Sequence, residues 1–94
     1  PQEYAFQNPH CLNKEKFLYS NDNEKTGYCE LPRGTRVDVL ESPNCESWDC
    51  WYKVRIPVNI LQDYCSPENL GKFDKEDNNW VVGYIPKPRL EPCP

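Results

Sequence analysis

No stretch of this chain stays apolar for long. The longest run covers residues 81–85, far short of the roughly 20 residues a membrane-spanning helix needs, so no such span is expected. Histidine occurs once, at His10, and no two cysteines stand in a Cys-x-x-Cys spacing. A mixed Cys/His metal set therefore has too few ligands and a redox dithiol has no motif. If all thiols are bridged, no Cys–His nucleophile exists either. An excess of positive charge is also missing. Eleven Lys and Arg face fifteen Asp and Glu, the net charge is −4, and the two signs are interspersed, which argues against nucleic acid or an anionic membrane as partner. No Asn is followed two places on by Ser or Thr, so there is no N-glycosylation acceptor. Internal repeats and low-complexity tracts are absent. Strong hydrophobes are scarce: Leu, Ile, Val and Phe total 19 of 94 residues, a level at which burial alone barely orders a chain.

What the chain does have is cysteine and proline. Six cysteines in 94 residues offer up to three disulfides, the usual reinforcement of small domains in oxidising compartments, and imply a secreted or periplasmic protein. The opening at Pro1, without a Met or a basic-then-apolar leader, reads as a mature form after signal cleavage or as a fragment of something larger. Ten prolines and nine asparagines cut the sequence into short pieces, favouring strands and turns over long helices. The length suits one domain. The clearest strand is residues 35–40, where Val37 and Val39 alternate with Arg36 and Asp38 after the turn Pro32-Arg33-Gly34; Val37 and Val39 face the core. In residues 51–56, Tyr52, Val54 and Ile56 share one face while Trp51, Lys53 and Arg55 share the other, so Trp51 points away from the core. A third strand, residues 80–85, ends at Pro86. Weaker strands are expected at 16–19 and 27–31.

Residues 57–79 are too many for a hairpin loop. Val58, Leu61 and Cys65 recur at helical spacing, as do Ile60 and Tyr64, and Ser66-Pro67-Glu68 reads as an N-cap with Pro at the first helical position, ended by Gly71. One or two helical turns packed on the sheet through their apolar face are expected. Asp74-Lys75-Glu76-Asp77-Asn78 lacks the Gly and distant Glu of a calcium loop and reads as a solvated turn.

The order of these elements resembles the SH3 fold: Phe17-Leu18-Tyr19, then Leu31-Pro32-Arg33-Gly34-Thr35-Arg36-Val37-Asp38-Val39-Leu40, then Trp51-Tyr52-Lys53-Val54-Arg55, then Gly83-Tyr84-Ile85-Pro86. In that family a Leu-Tyr strand is followed by a long RT hairpin, a Gly-containing diverging turn and an alternating strand. A strand opening with Trp comes next, and Gly-Tyr-Ile/Val-Pro leads into a 3₁₀ turn. The pattern is similar both to eukaryotic SH3 domains and to the bacterial SH3 relatives of secreted proteins. It implies an all-β, five-stranded SH3-like barrel (residues 16–56 and 80–92) with an N-terminal arm (1–15) and an insertion (57–79) before the last strand. The resemblance puts Tyr19, Trp51, Tyr84 and Pro86 in the ligand groove, with Tyr84 favoured as a core residue. It departs at Asn21 and Arg89, where the family's other groove tyrosines would stand.

Six cysteines allow fifteen pairings, and the implied fold suggests one set. Cys45 and Cys50 would pin the loop carrying Trp48, Cys11 and Cys93 would join the two ends outside the barrel, and Cys29 would pair with Cys65 to tether the insertion. No enzyme, cofactor or metal is implied. The expected function is a non-catalytic, secreted binding module for a protein or peptide, acting through Tyr19, Trp48, Trp51, Tyr84, Pro86, Lys87 and Arg89, residue types that dominate interface energetics. Two other readings stand beside it: an inhibitor or immunity-type protein blocking a secreted hydrolase, and a cell-wall glycan or peptidoglycan binder stacking sugars on the same aromatics.

Overall fold

In the computed structural model the described residues are 5–21, 27–43, 50–86 and 90–93. They are all-β, with eight strands: β1 (Pro9–Leu12), β2 (Lys16–Tyr19), β3 (Tyr28–Leu31), β4 (Arg36–Glu41), β5 (Trp51–Pro57), β6 (Asp74–Glu76), β7 (Trp80–Pro86) and β8 (Leu90–Glu91), with two one-turn helices, α1 (Val58–Leu61) and α2 (Pro67–Leu70), between β5 and β6. The strands form one open antiparallel sheet in the order β3-β2-β7-β5-β4-β1-β8, and β6 adds to β7 off that path. The five expected strands are all present, and three more join them.

The largest departure from expectation is β1. Residues 9–12, expected within an arm outside the sheet, lie between β4 and β8, with Cys11 opposite both Arg36 and Glu91. Backbone bonds from Leu12 N to Thr35 O (3.0 Å) and from Gly34 N to Leu12 O (2.8 Å) fasten it to the turn before β4. Burial explains the difference: Leu12 is a core residue, but one apolar side chain beside Cys11 leaves no alternation in sequence to mark a strand.

The core follows the period of two. Leu18, Leu31, Val37, Val39, Val54, Ile56, Val81 and Ile85 point inward from five strands. Gly83 belongs to that inward set because Leu18 packs on its backbone; a Cβ there would lie 2.7 Å from Leu18 Cδ1 and 2.8 Å from Cγ, closer than side chains approach. Leu61 from α1 and Phe73 just before β6 complete the cluster, with Val58, Ile60, Cys65 and Leu70 packed against it, so the stretch between β5 and β7 covers the core as its spacing implied. The expected cap forms at α2, where Ser66 Oγ accepts from Asn69 N at 3.1 Å with Pro67 in the first turn. Residues 74–76 correct the solvated-turn expectation. They pair with residues 80–82 of β7, and Asp77 (φ 55°) and Asn78 (φ 61°) close the hairpin, a left-handed pair that Asp and Asn tolerate better than other side chains.

Two disulfides are formed among the described residues, Cys11–Cys93 and Cys29–Cys65, with Cα separations of 5.0 and 5.2 Å. Cys50 is buried and disulfide-bonded, and Cys45 lies outside the described residues. The Cys29–Cys65 bridge and a bond from Asn69 Nδ2 to Tyr28 O (3.1 Å) hold α2 against β3, the end strand of the sheet. A strand end covered in this way presents less unpaired backbone to other chains.

Candidate functional site

The face of the sheet opposite the core divides in two. On one half, strand register gathers aromatic side chains. Tyr19 lies opposite both Tyr28 and Tyr84, and Trp51 lies opposite Pro86, so the alternation that sends Leu18 and Ile85 inward sends Phe17, Tyr19, Tyr84 and Pro86 outward. Tyr19 and Trp51 meet edge to face at 5.7 Å and 78°. Tyr28 is 5.9 Å from Tyr19 and 5.4 Å from Phe17, the latter at 89°. Phe17 and Tyr28 are 40% and 51% exposed, and Tyr19, Trp51, Tyr84 and Pro86 are half-buried. The structure thus brings together four of the seven residues expected in a ligand site. Trp48, Lys87 and Arg89 lie outside the described residues. Tyr84 is corrected from a core residue to one on the outer face, where the pleat puts it between inward Gly83 and Ile85.

Phe17 and Tyr28 were not expected in this cluster, although the sequence carried a signal for the first: Phe17 and Tyr19 flank Leu18, so they must share a face once Leu18 is inward. Tyr28 is exposed by the same alternation around Cys29. At the margin, Glu30 stands opposite Phe17 and has its pKa raised from the usual carboxylate value by a hydrogen bond with Glu15 and by the like charge of that residue. A carboxyl whose folded-state pKa lies above its unfolded value contributes stability while protonated and loses it as pH rises through the folded pKa. Glu30→Gln should therefore raise the melting temperature at pH 7 and leave it unchanged at pH 3; an equal shift at both values would mean the Glu15 contact is not responsible.

The other half of this face is covered. Arg55, expected on a solvent-facing side of β5, is 7% exposed, and Asp38 is 1% exposed. Arg55 Nε donates to Asp38 Oδ2 at 2.7 Å, Nη1 to Glu76 Oε1 at 2.6 Å and Nη2 to Ala5 O at 3.2 Å, and its guanidinium lies 4.0 Å from the centroid of the Trp80 ring. Asp38 Oδ1 accepts from Gln7 N and Asn8 N, and Phe6 meets Trp80 edge to face at 5.1 Å. Residues 5–8 are thereby strapped across the outer face. Burial works against the Arg55 cation, but bonds and charge from Asp38 and Glu76 outweigh it, so its pKa is raised. Asp38 and Arg55 are opposite each other on β4 and β5. Their sequence signal was a charged pair in two strands whose register was unknown.

Among the described residues no group of three or more His, Cys, Asp and Glu could hold a metal ion. No helix of the described residues is long and apolar enough to cross a membrane. The chain matches no family model, no curated protein and no solved structure. The aromatic half-face is partly open to solvent. It offers flat rings, an edge-to-face crease between Tyr19 and Trp51, and the neighbouring Lys53, opposite Tyr84.

Proposed function

We propose that this chain is a disulfide-stabilised, SH3-like binding module acting outside the cytoplasm, which recognises a protein or peptide through Phe17, Tyr19, Tyr28, Trp51, Tyr84 and Pro86. The observation that carries the reading is the gathering of these six side chains on one exposed half-face, with Phe17 and Tyr28 open to solvent. Exposed clusters of aromatic rings of this kind are costly for a monomer and characteristic of interaction sites. The SH3-like part is supported by the presence of the five expected strands, β2, β3, β4, β5 and β7, in one antiparallel sheet. Support for an oxidising location comes from the two bridges, and a third, Cys45–Cys50, belongs to the same proposal.

The test is capture by the oxidised 94-residue chain from extracellular and envelope fractions, with Trp51→Ala and Tyr28→Ser variants as controls. A single protein held by the native chain and lost by at least tenfold with both variants, each with unchanged melting temperature, is the expected result. Retention of wall glycan instead would assign the rings to sugar stacking. Equal capture by all three forms would remove this face from the site.

A further inference from the structure

At the far end of the sheet from the aromatic rings, the Cys11–Cys93 bridge floors a cleft of about 410 Å³ whose walls include Arg33, Gly34, Arg36 and Glu91. Arg33 belongs to the turn before β4, where Gly34 takes φ +89° and a Cβ would meet nothing within 4 Å, so the backbone there is bare toward solvent. Arg36 opens β4 opposite Cys11, with its guanidinium 5.4 Å from the centroid of the Phe6 ring, a contact that restrains its orientation. Among the described residues neither arginine is in an ion pair, whereas Arg55 binds two carboxylates. Both arginines are exposed and line one concavity in a chain of net charge −4. A cleft also concentrates the field of the charges that line it.

We infer that this cleft is a binding site for a carboxylate, held by Arg33 and Arg36 across the disulfide floor. Guanidinium forks match the two oxygens of a carboxylate through paired N–H donors. Glu91 sets the preference within anions: among the described lining residues it offsets one of the two guanidinium charges, and the weakened field repays the desolvation of a monoanion better than that of a dianion. The carboxylate belongs either to a small organic acid or to an acidic side chain of a peptide, and the two share this chemistry. The site is separate from the aromatic face and does not depend on what that face binds.

The experiment is a titration of the oxidised chain, followed by ¹H–¹⁵N NMR at constant ionic strength set by chloride, with acetate, with a short peptide containing one glutamate, and with inorganic sulfate. Acetate is expected to give saturable shifts at Arg33, Gly34 and Arg36 with a midpoint of about 1–10 mM, the weak regime of a single charged contact. Sulfate should bind more weakly. A midpoint for the peptide at least tenfold below that of acetate assigns the site to a peptide carboxylate, and equal midpoints assign it to a free acid. Arg33→Gln, an exposed turn substitution that leaves the Phe6 contact intact, should weaken acetate at least fivefold, and Glu91→Gln should bring sulfate level with acetate. Shifts that rise linearly without saturation, that persist in Arg33→Gln, or that chloride reproduces would overturn the assignment.

Discussion

Replacing Asp38 with alanine should lower the unfolding free energy by about 3 kcal/mol, with the loss of amide protection beginning at Gln7 and Asn8. The carboxylate accepts from Arg55 Nε and from two backbone N–H groups of the strap, and it is almost wholly buried. Removing one partner of such a pair leaves the other charge buried and under-satisfied, which costs more than the pair itself contributes. The figure is at the low end for buried pairs because Arg55 retains Glu76, whose side chain is 42% exposed and admits water to the site. Asp38→Asn keeps an acceptor of the same shape and should cost less than Asp38→Ala. Urea unfolding followed by tryptophan fluorescence measures both, since Trp80 sits under the clamp. A loss under about 1 kcal/mol for the alanine variant would mean that water replaces the carboxylate and that Phe6, the Arg55–Ala5 bond and the Val39–Asn8 backbone bond suffice to hold the strap.

This clamp was the part of the molecule least legible in the sequence, and the reason is register. Alternation reads which face a side chain takes, and it placed Val37, Val39, Val54 and Ile56 correctly in the core. It does not say which residues of two strands stand opposite each other, so Asp38 and Arg55 read as two solvent-facing charges. The same limit applied to β6, whose pairing with β7 depends on a turn at Asp77 and Asn78, and to β1, where a single core leucine carries the strand. Local chemistry was more legible. The Ser66 cap, Pro67 and the apolar spacing of Val58, Leu61 and Cys65 are short-range features, and α1 and α2 stand where they indicated. Of the aromatic cluster, Tyr19, Tyr84 and Pro86 came from resemblance to a known family, and Trp51 from that resemblance together with the alternation that turned it away from the core. Phe17 and Tyr28 follow from the pleat once Leu18 and Cys29 are known to point inward.

The two bridges allow a test of whether chain entropy or local packing governs this small domain. Cys11–Cys93 links residues 82 apart and Cys29–Cys65 links residues 36 apart. On loop closure alone, removing the first as Cys11→Ala with Cys93→Ala should cost about 4–5 kcal/mol, and removing the second should cost about 0.7 kcal/mol less. A loss of that size is most of the stability a domain this small commonly has, so the longer bridge decides whether the chain is folded at 37 °C. Packing argues for the reverse order. Cys29 is in the core, and its bridge holds α2 over the open side of β3, whereas Cys93 is half-buried beside the cleft. Urea unfolding of the two double variants compares them directly, with light scattering reporting self-association. A larger loss for Cys11–Cys93, with both variants monomeric, is the expected result and would assign the effect to the unfolded chain. If the Cys29–Cys65 variant is the less stable and associates, the bridge works through the folded state, and the covered strand edge is what it protects.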